Sequence, residues 1–265
     1  MKITVQDVID QLTAPAGTLE SAVDTLRSGD PNQQVTGIVT TFVASQHVIE
    51  QALSLGTNLI ITHEGTYYSH QDHTDWLEHS SVYRAKRRLI EESGLAIYRF
   101  HDFIHHYQPD GIMQGLLAEL GWEPYVTEHQ RAASILTLPP TTVRETADYV
   151  KKQLKLPYVR LVGELSMSCS RVGVVAGYRG GGRLVIPLFE HEGLDLVIAG
   201  EGPEWETPEY VRDAVRQGRQ KALILLGHAQ SEEPGMKHLA GVLAKLFPGI
   251  PVHFISEEPL FNVIG

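Results

Sequence analysis

Cysteine is nearly absent: Cys169 is the only one in 265 residues. A single thiol forms neither an internal disulfide nor a thiolate cluster. Any bound metal must therefore be held by nitrogen and oxygen ligands, and the usage fits a reducing, cytoplasmic compartment. Long apolar runs are missing as well. No stretch approaches bilayer-spanning length, and Met1-Lys2-Ile3-Thr4-Val5 opens without the apolar core of a signal peptide, which argues against membrane insertion and secretion. Positive charge is in deficit, with 22 Lys and Arg against 32 Asp and Glu, a formal charge of −10 and a pI of about 5.7. That balance repels nucleic-acid phosphates and anionic membrane surfaces, so both are disfavoured as partners. The densest basic run, Arg84 to Arg88, has helical spacing and reads as a solvated helix face. Signatures of acyl transfer are lacking too. There is no Gly-X-Ser-X-Gly elbow, and Cys169 sits in Ser166-Met167-Ser168-Cys169-Ser170 without a nearby His.

What is present is an ordinary globular composition, 42% hydrophobic and 20% charged, which excludes disorder. The length allows one large domain or two small interlocked ones. Short β-branched runs alternate with amphipathic segments, which predicts α/β layers. A helix is expected at 5–12, a linker at 28–32, strands at 35–43, 58–62 and 95–100, and helices at 46–55, 80–93 and 111–120, with Gly94 and Gly121 as C-caps. A second series follows: strand 134–138, helix 141–154, strands 158–162 and 171–176, a helix after a glycine loop, strand 194–199, helix 208–217, and an apolar strand from Ala222. A helix at 232–246 and a strand at 252–255 close the chain. The expected division is 1–125 with 233–265 packing back on it, and 126–232. The two halves share a cadence, as in Gly56-Thr57-Asn58-Leu59-Ile60-Ile61-Thr62-His63-Glu64 and Gly193-Leu194-Asp195-Leu196-Val197-Ile198-Ala199-Gly200-Glu201, which suggests an internal duplication.

Three of these strands deliver imidazole or carboxylate at their C-terminal ends, where open α/β sheets place their sites. The first ends in Thr62-His63-Glu64-Gly65. The second leads into His101-Asp102-Phe103-Ile104-His105-His106, where His101 and His105 lie past the strand, Asp102 is a rival carboxylate and His106 faces solvent. The third runs into Gly227-His228-Ala229-Gln230-Ser231-Glu232, whose i,i+4 His and Glu have metal-ligand spacing. A capping His and a first-turn Glu would explain each residue alone, but not three strand ends of one chemistry. The His-rich segment from Tyr68 to His79 reads as a loop that gates the site without ligating in its resting state. The loop Gly177-Tyr178-Arg179-Gly180-Gly181-Gly182-Arg183 reads either as a tight turn or as a phosphate cradle, and it lacks the Lys-Ser/Thr of a P-loop.

The order strand-Thr-His, Tyr-x-x-His-x-x-x-ligand and Gly-His-x-x-x-Glu resembles the Nif-three-like dinuclear-metal-centre proteins, known as GTP cyclohydrolase 1 type 2 homologues. The resemblance spans essentially the whole chain. The family's first site is usually His-His-Pro, here His63-Glu64-Gly65. Its second is usually His-x-x-x-Asp, here ending in His105, and its Gly-Glu-x-x-x-His turn ends here in Trp205. Carried over position by position, the implied ligands are His63, Glu64, His105, His228 and Glu232, so one imidazole and one carboxylate have exchanged places. The implied fold is two interlocked α/β domains with mixed sheets and a metal site in the cleft between them. Mixed imidazole and carboxylate donors suit two divalent ions of Zn, Fe, Mn or Ni better than Ca or Mg. Glu232 is the expected bridge between ions about 3.5–4 Å apart. The expected activity is hydrolysis of a small polar or nucleotide-like substrate by a metal-bound water, with His101 and Glu201 in proton transfer. The rival class is a non-catalytic metal-binding scaffold, metal chaperone or regulatory protein. The resemblance also implies a homo-hexamer.

Overall fold

The computed structural model describes residues 2–71 and 73–264. In chain order the elements are α1 (Val5–Thr13), β1 (Thr25–Ser28), β2 (Ile38–Thr41), α2 (Gln46–Ser54), β3 (Leu59–Thr62), α3 (Ser81–Ser93), β4 (Ala96–Arg99), α4 (Asp102–His105) and α5 (Gly111–Leu120). Then follow β5 (Val126–His129), β6 (Ser134–Thr142), α6 (Val143–Gln153), β7 (Arg160–Val162), β8 (Ser168–Val175), α7 (Gly182–His191), β9 (Leu196–Ala199), α8 (Thr207–Arg216), β10 (Ala222–Leu225), α9 (His228–Leu246) and β11 (Val252–Phe254). They form two compact units, Met1–Gln108 with Met236–Gly265, and Pro109–Gly235. Among the described residues no helix is long and apolar enough to cross a membrane.

The first unit is built on a mixed sheet ordered β1-β4-β3-β2-β11. Its three pairings from β11 to β4 are parallel, and β1 runs antiparallel to β4. Every residue of β2, β3 and β4 is buried, as expected of parallel strands covered on both faces. Val39, Ile60 and Ile97 pack against Val48, Ile49 and Ala52 of α2 and Ile90 of α3. Thr62 pairs with Arg99, so the chain leaves β3 and β4 along one edge of the sheet, and His63 and His101 start from it. The basic run on α3 is not uniformly solvated. Arg84, Arg87 and Arg88 are exposed, whereas Lys86 is buried.

The second unit holds a mixed sheet ordered β5-β6-β8-β9-β10-β7. Strands β8, β9 and β10 are parallel, with Val175 opposite Ala199 and Ala199 opposite Leu225, so three loops leave one edge in register. Val175, Val197, Ala199 and Leu223 pack on Val185 and Phe189 of α7 and Val211 of α8. Helix α5, read with the first domain in the sequence, lies in this unit. Gly115 meets the backbone of Gly235, and Asp110 caps α5 while pairing with Arg179 at 2.9 Å. Strand β6 runs on through Pro139 and Pro140 with a register shift between Thr137 and Thr141, where a bulge tolerates the missing N–H groups. Helix α9 begins at His228, four residues before the expected start, which puts His228 and Glu232 on its first turn.

Gly29 closes the turn after β1 with φ 88°, and a Cβ there would lie 2.6 Å from the Cα of Ala96 on β4. We expect Gly29→Ala to lose about 2–5 kcal/mol, combining a left-handed backbone with overpacking against the neighbouring strand. Urea unfolding measures it, and a loss below about 1 kcal/mol would show that the turn relaxes at little cost.

Candidate metal centre

Three imidazoles of the first unit meet at the sheet edge. His63 stacks on His101 with ring centroids 4.6 Å apart, and His105 stands edge-on to both at 5.0 Å. One nitrogen of each lies within 4.8 Å of the other two. The spacing follows from local structure: His63 is the first residue after β3, and the turn of α4 carries His101 and His105 one helical turn apart. Phe100 C=O lies 3.1 Å from His63 Nδ1, and a carbonyl only accepts, so Nδ1 carries the hydrogen and Nε2 presents its lone pair. The Asp102 carboxylate does the same for His101, at 2.8 Å from Nδ1. Burial, reinforced by the neighbouring His63 and His105, pushes the His101 pKa down to about 3. The ring is thus neutral, which is the form that binds metal.

The turn bearing these rings is held from a distance. Asp24, just before β1, accepts from the N–H groups of His101 at 2.8 Å, Asp102 at 2.7 Å and Phe103 at 3.4 Å. Asp102 answers by accepting from Val23 N–H at 2.9 Å. Burial raises the Asp24 pKa against these hydrogen bonds. For Asp102 burial also opposes the charge, but the bonds from Val23 and His101 outweigh it and the pKa is lowered. Neither Asp24 nor this clasp was visible in the sequence, because the partners lie some 77 residues apart.

Glu64 is the next donor. Its Oε2 pairs with Arg99 Nη2 at 2.9 Å, and its Oε1 lies 3.7 Å from His101 Nε2. His70 Nδ1 is 3.6 Å from Glu64 Oε2, and one donor atom each of Glu64, His70 and His101 falls within 4.8 Å of the others. Part of the segment expected to stand clear of the donors therefore reaches them. Asp72 in that segment lies outside the described residues. His106 is exposed, as the sequence suggests.

The second unit carries its own set. His228 Nε2 lies 3.2 Å from Glu232 Oε2 and its Nδ1 3.4 Å from Glu201 Oε1. Glu232 is only 2% exposed, and the loop after β8 makes room for it: a Cβ on Gly177 would sit 2.1 Å from Glu232 Oε1 and 3.3 Å from His228 Nε2. Ser231 fixes that approach, accepting from Gly177 N–H at 2.8 Å while donating to His228 C=O at 2.7 Å.

The glycine loop is a turn in which two of the anion-binding groups are taken by the protein's own carboxylates. Gly182 N–H at the start of α7 donates to Glu206 at 2.6 Å, and Arg179 is bound to Asp110. Trp205 is 76% exposed.

The structure thus brings His63 and His105 together with His101, sets Glu64 beside them, and joins His228 and Glu232 with Glu201. Both sets suit a divalent ion of borderline softness: three clustered imidazoles, two of them with Nδ1 held by an acceptor, in one, an imidazole with a buried carboxylate in the other, and a glycine where any side chain would fill the space.

A family model for Duf34/NIF3 (NGG1p interacting factor 3) matches residues 4–259. No curated protein matches. Among solved structures, the Staphylococcus aureus hypothetical protein SA1388 has a TM-score of 0.78 at 17% identity over 100% of both chains. A Bacillus cereus protein related to NIF3 has 0.76 at 15%, covering 99% of this chain and 100% of that one. Reduced HcgD from Methanocaldococcus jannaschii has 0.71 at 14%, covering 96% and 98%. At these identities the likeness is one of fold.

Gly177→Ala is expected to weaken zinc binding at His228 and Glu232 by about 10–100-fold, the range typical when a ligand's support is removed, and to spare the His63 set. Calorimetric zinc titration reads this directly. Unchanged binding would mean that Glu232 does not ligate from its observed rotamer.

Proposed function

The chain belongs to the Duf34/NIF3 family, and from that membership and its donor sets we propose that it binds two divalent metal ions and hydrolyses a small polar substrate. The observation that carries the reading is the His63, His101 and His105 set, three imidazoles with ligand atoms within 4.8 Å of one another, of which burial holds His101 neutral. His63, His101 and His105 would hold one ion, with Glu64 offering Oε1. His228 and Glu232 would hold the other. Bound divalent ions supply a water of lowered pKa and polarise the bond to be cleaved. Asp102 keeps His101 in the tautomer that presents Nε2, which makes His101 a donor and leaves Glu201 as the proton carrier. Glu201 suits that task because it is 40% exposed at its side chain and touches His228 Nδ1. That the two sets act as one dinuclear centre is what the family resemblance implies and belongs to the same proposal.

Elemental analysis of protein reconstituted with Zn, Mn or Fe is expected to give about two ions per chain, with turnover of a phosphoester, amide or nucleotide rising with metal content. Well under one ion per chain would sink the reading. Two ions without turnover of any of these substrates would favour a metal-binding scaffold. Glu232→Gln should lose more metal than Glu64→Gln, since Glu232 is buried beside His228 whereas Glu64 shares its charge with Arg99. Equal losses, or a greater loss in Glu64→Gln, would overturn that ranking.

The proposal includes a closed homo-hexamer. Multi-angle light scattering is expected to return six chains, and a monomer at all concentrations would contradict it.

A further inference from the structure

Arg99 ends β4 with its side chain 0% exposed, and a guanidinium stays charged in any protein interior. Its fork is spread over one edge of the first donor set. Nε donates to His63 C=O at 3.4 Å, Nη2 to Glu64 Oε2 at 2.9 Å and toward His70 Nδ1 at 3.1 Å, and Nη1 to His70 C=O. One cation therefore touches a proposed ligand, the backbone of a second and both backbone and ring of a residue in the His-rich segment. Glu64 Oε2 is engaged by Arg99, while Oε1 lies 3.7 Å from His101 Nε2. His73 and His79 of the same segment are exposed, and neither side chain joins the set among the described residues.

We infer that Arg99 is the positioning residue of this donor set: it presents Glu64 through one oxygen and docks His70, alone of its segment's histidines, beside the ligands. The inference rests on the metal-binding reading for its first half. Its second half, the docking of the segment, does not need a metal. The competing account is a buried ion pair that only stabilises the fold. A second competitor is electrostatic: a cation beside an ion site repels the ion, so its removal would tighten binding.

Arg99→Lys separates these accounts, since lysine keeps the charge but cannot fork across three partners. Cobalt binding is followed by the d–d absorption of Co(II), and docking by chymotrypsin cleavage of the apo protein at Tyr67, Tyr68 and Trp76. The clamp predicts Co(II) affinity lower by about 10–100-fold, the range seen when a ligand's partner is lost, together with faster cleavage. His70→Gln should also speed cleavage, and His73→Gln and His79→Gln should not. Wild-type affinity and cleavage with only a lowered Tm would overturn the clamp in favour of a structural pair, as would tighter binding in Arg99→Met in favour of repulsion. If Arg99→Lys does not fold, cleavage of apo Glu64→Gln decides: faster cleavage is expected, and the wild-type rate overturns the docking. A wild-type chain that binds no Co(II) would defeat the metal reading itself, while the apo cleavage result would still judge Arg99.

Discussion

A neutral imidazole has one lone pair, and the partner of the other nitrogen decides where it points. Most of what this chain does with its histidines follows from that constraint. His63 gives Nδ1 to the Phe100 carbonyl, His101 gives it to Asp102, and His228 sets it against Glu201. All three acceptors leave Nε2 to face its donor neighbours. The constraint then propagates into the fold. Asp102 can hold His101 only while Val23 N–H and the Asp24 clasp hold the start of α4, and those groups are placed by the antiparallel pairing of β1 with β4. An edge strand of four residues thus bears on the tautomer of a ring it does not touch.

Charge is arranged by the same logic. The buried imidazole cluster excludes the cationic form of His101, yet two basic side chains are buried in the same unit. Arg99 lies against Glu64, and Lys86 Nζ donates to Thr66 C=O at 2.7 Å with the rings of Tyr67 and Tyr68 at 5.8 and 5.3 Å. Both cations grip the stretch from residue 63 to 70. Such burial is tolerated only with partners in place, so the stretch is fixed by the need to satisfy the cations as much as by its own preferences. Tyr68 adopts φ 55° there, a left-handed conformation that a bulky side chain enters only when its surroundings impose it.

The parallel strands were legible because burial on both faces leaves continuous apolar runs, and the candidate site was legible at the level of which strands end in imidazole or carboxylate. What could not be read was second-order. Strand β1, Thr25-Leu26-Arg27-Ser28, is half-buried and has no alternation, so nothing in the sequence assigns it beyond Ser28, which reads as the start of the linker at 28–32. Helix α9, expected over 232–246, starts at His228 and carries Pro234 inside. Asp24 and Arg99 are single charged residues with no pattern around them. Their roles exist only because strand pairing brings residues 24, 64 and 99 to one edge, and spacing along one chain does not encode that pairing.

The glycine loop shows how a motif can be filled from within. Backbone N–H groups at a helix start and two arginines are the ingredients of a phosphate site. Here Glu206 already accepts from Gly182 N–H, and Arg179 is tied to Asp110, which also caps α5 through Ile112 and Met113. An incoming phosphate would have to displace one carboxylate and strip a capping residue of its cation, losing contacts of the strength it would gain. The loop's own packing opposes such opening: Gly180 N–H donates to Glu201 C=O, Glu201 N–H donates to Gly177 C=O, and Thr207 donates to Gly180 C=O. Gly177 is needed for a different reason, which is to let Glu232 and His228 approach the backbone. The loop that resembled an anion cradle therefore lies against the second donor set, with Arg179 and the Gly182 N–H already engaged by the protein's own carboxylates.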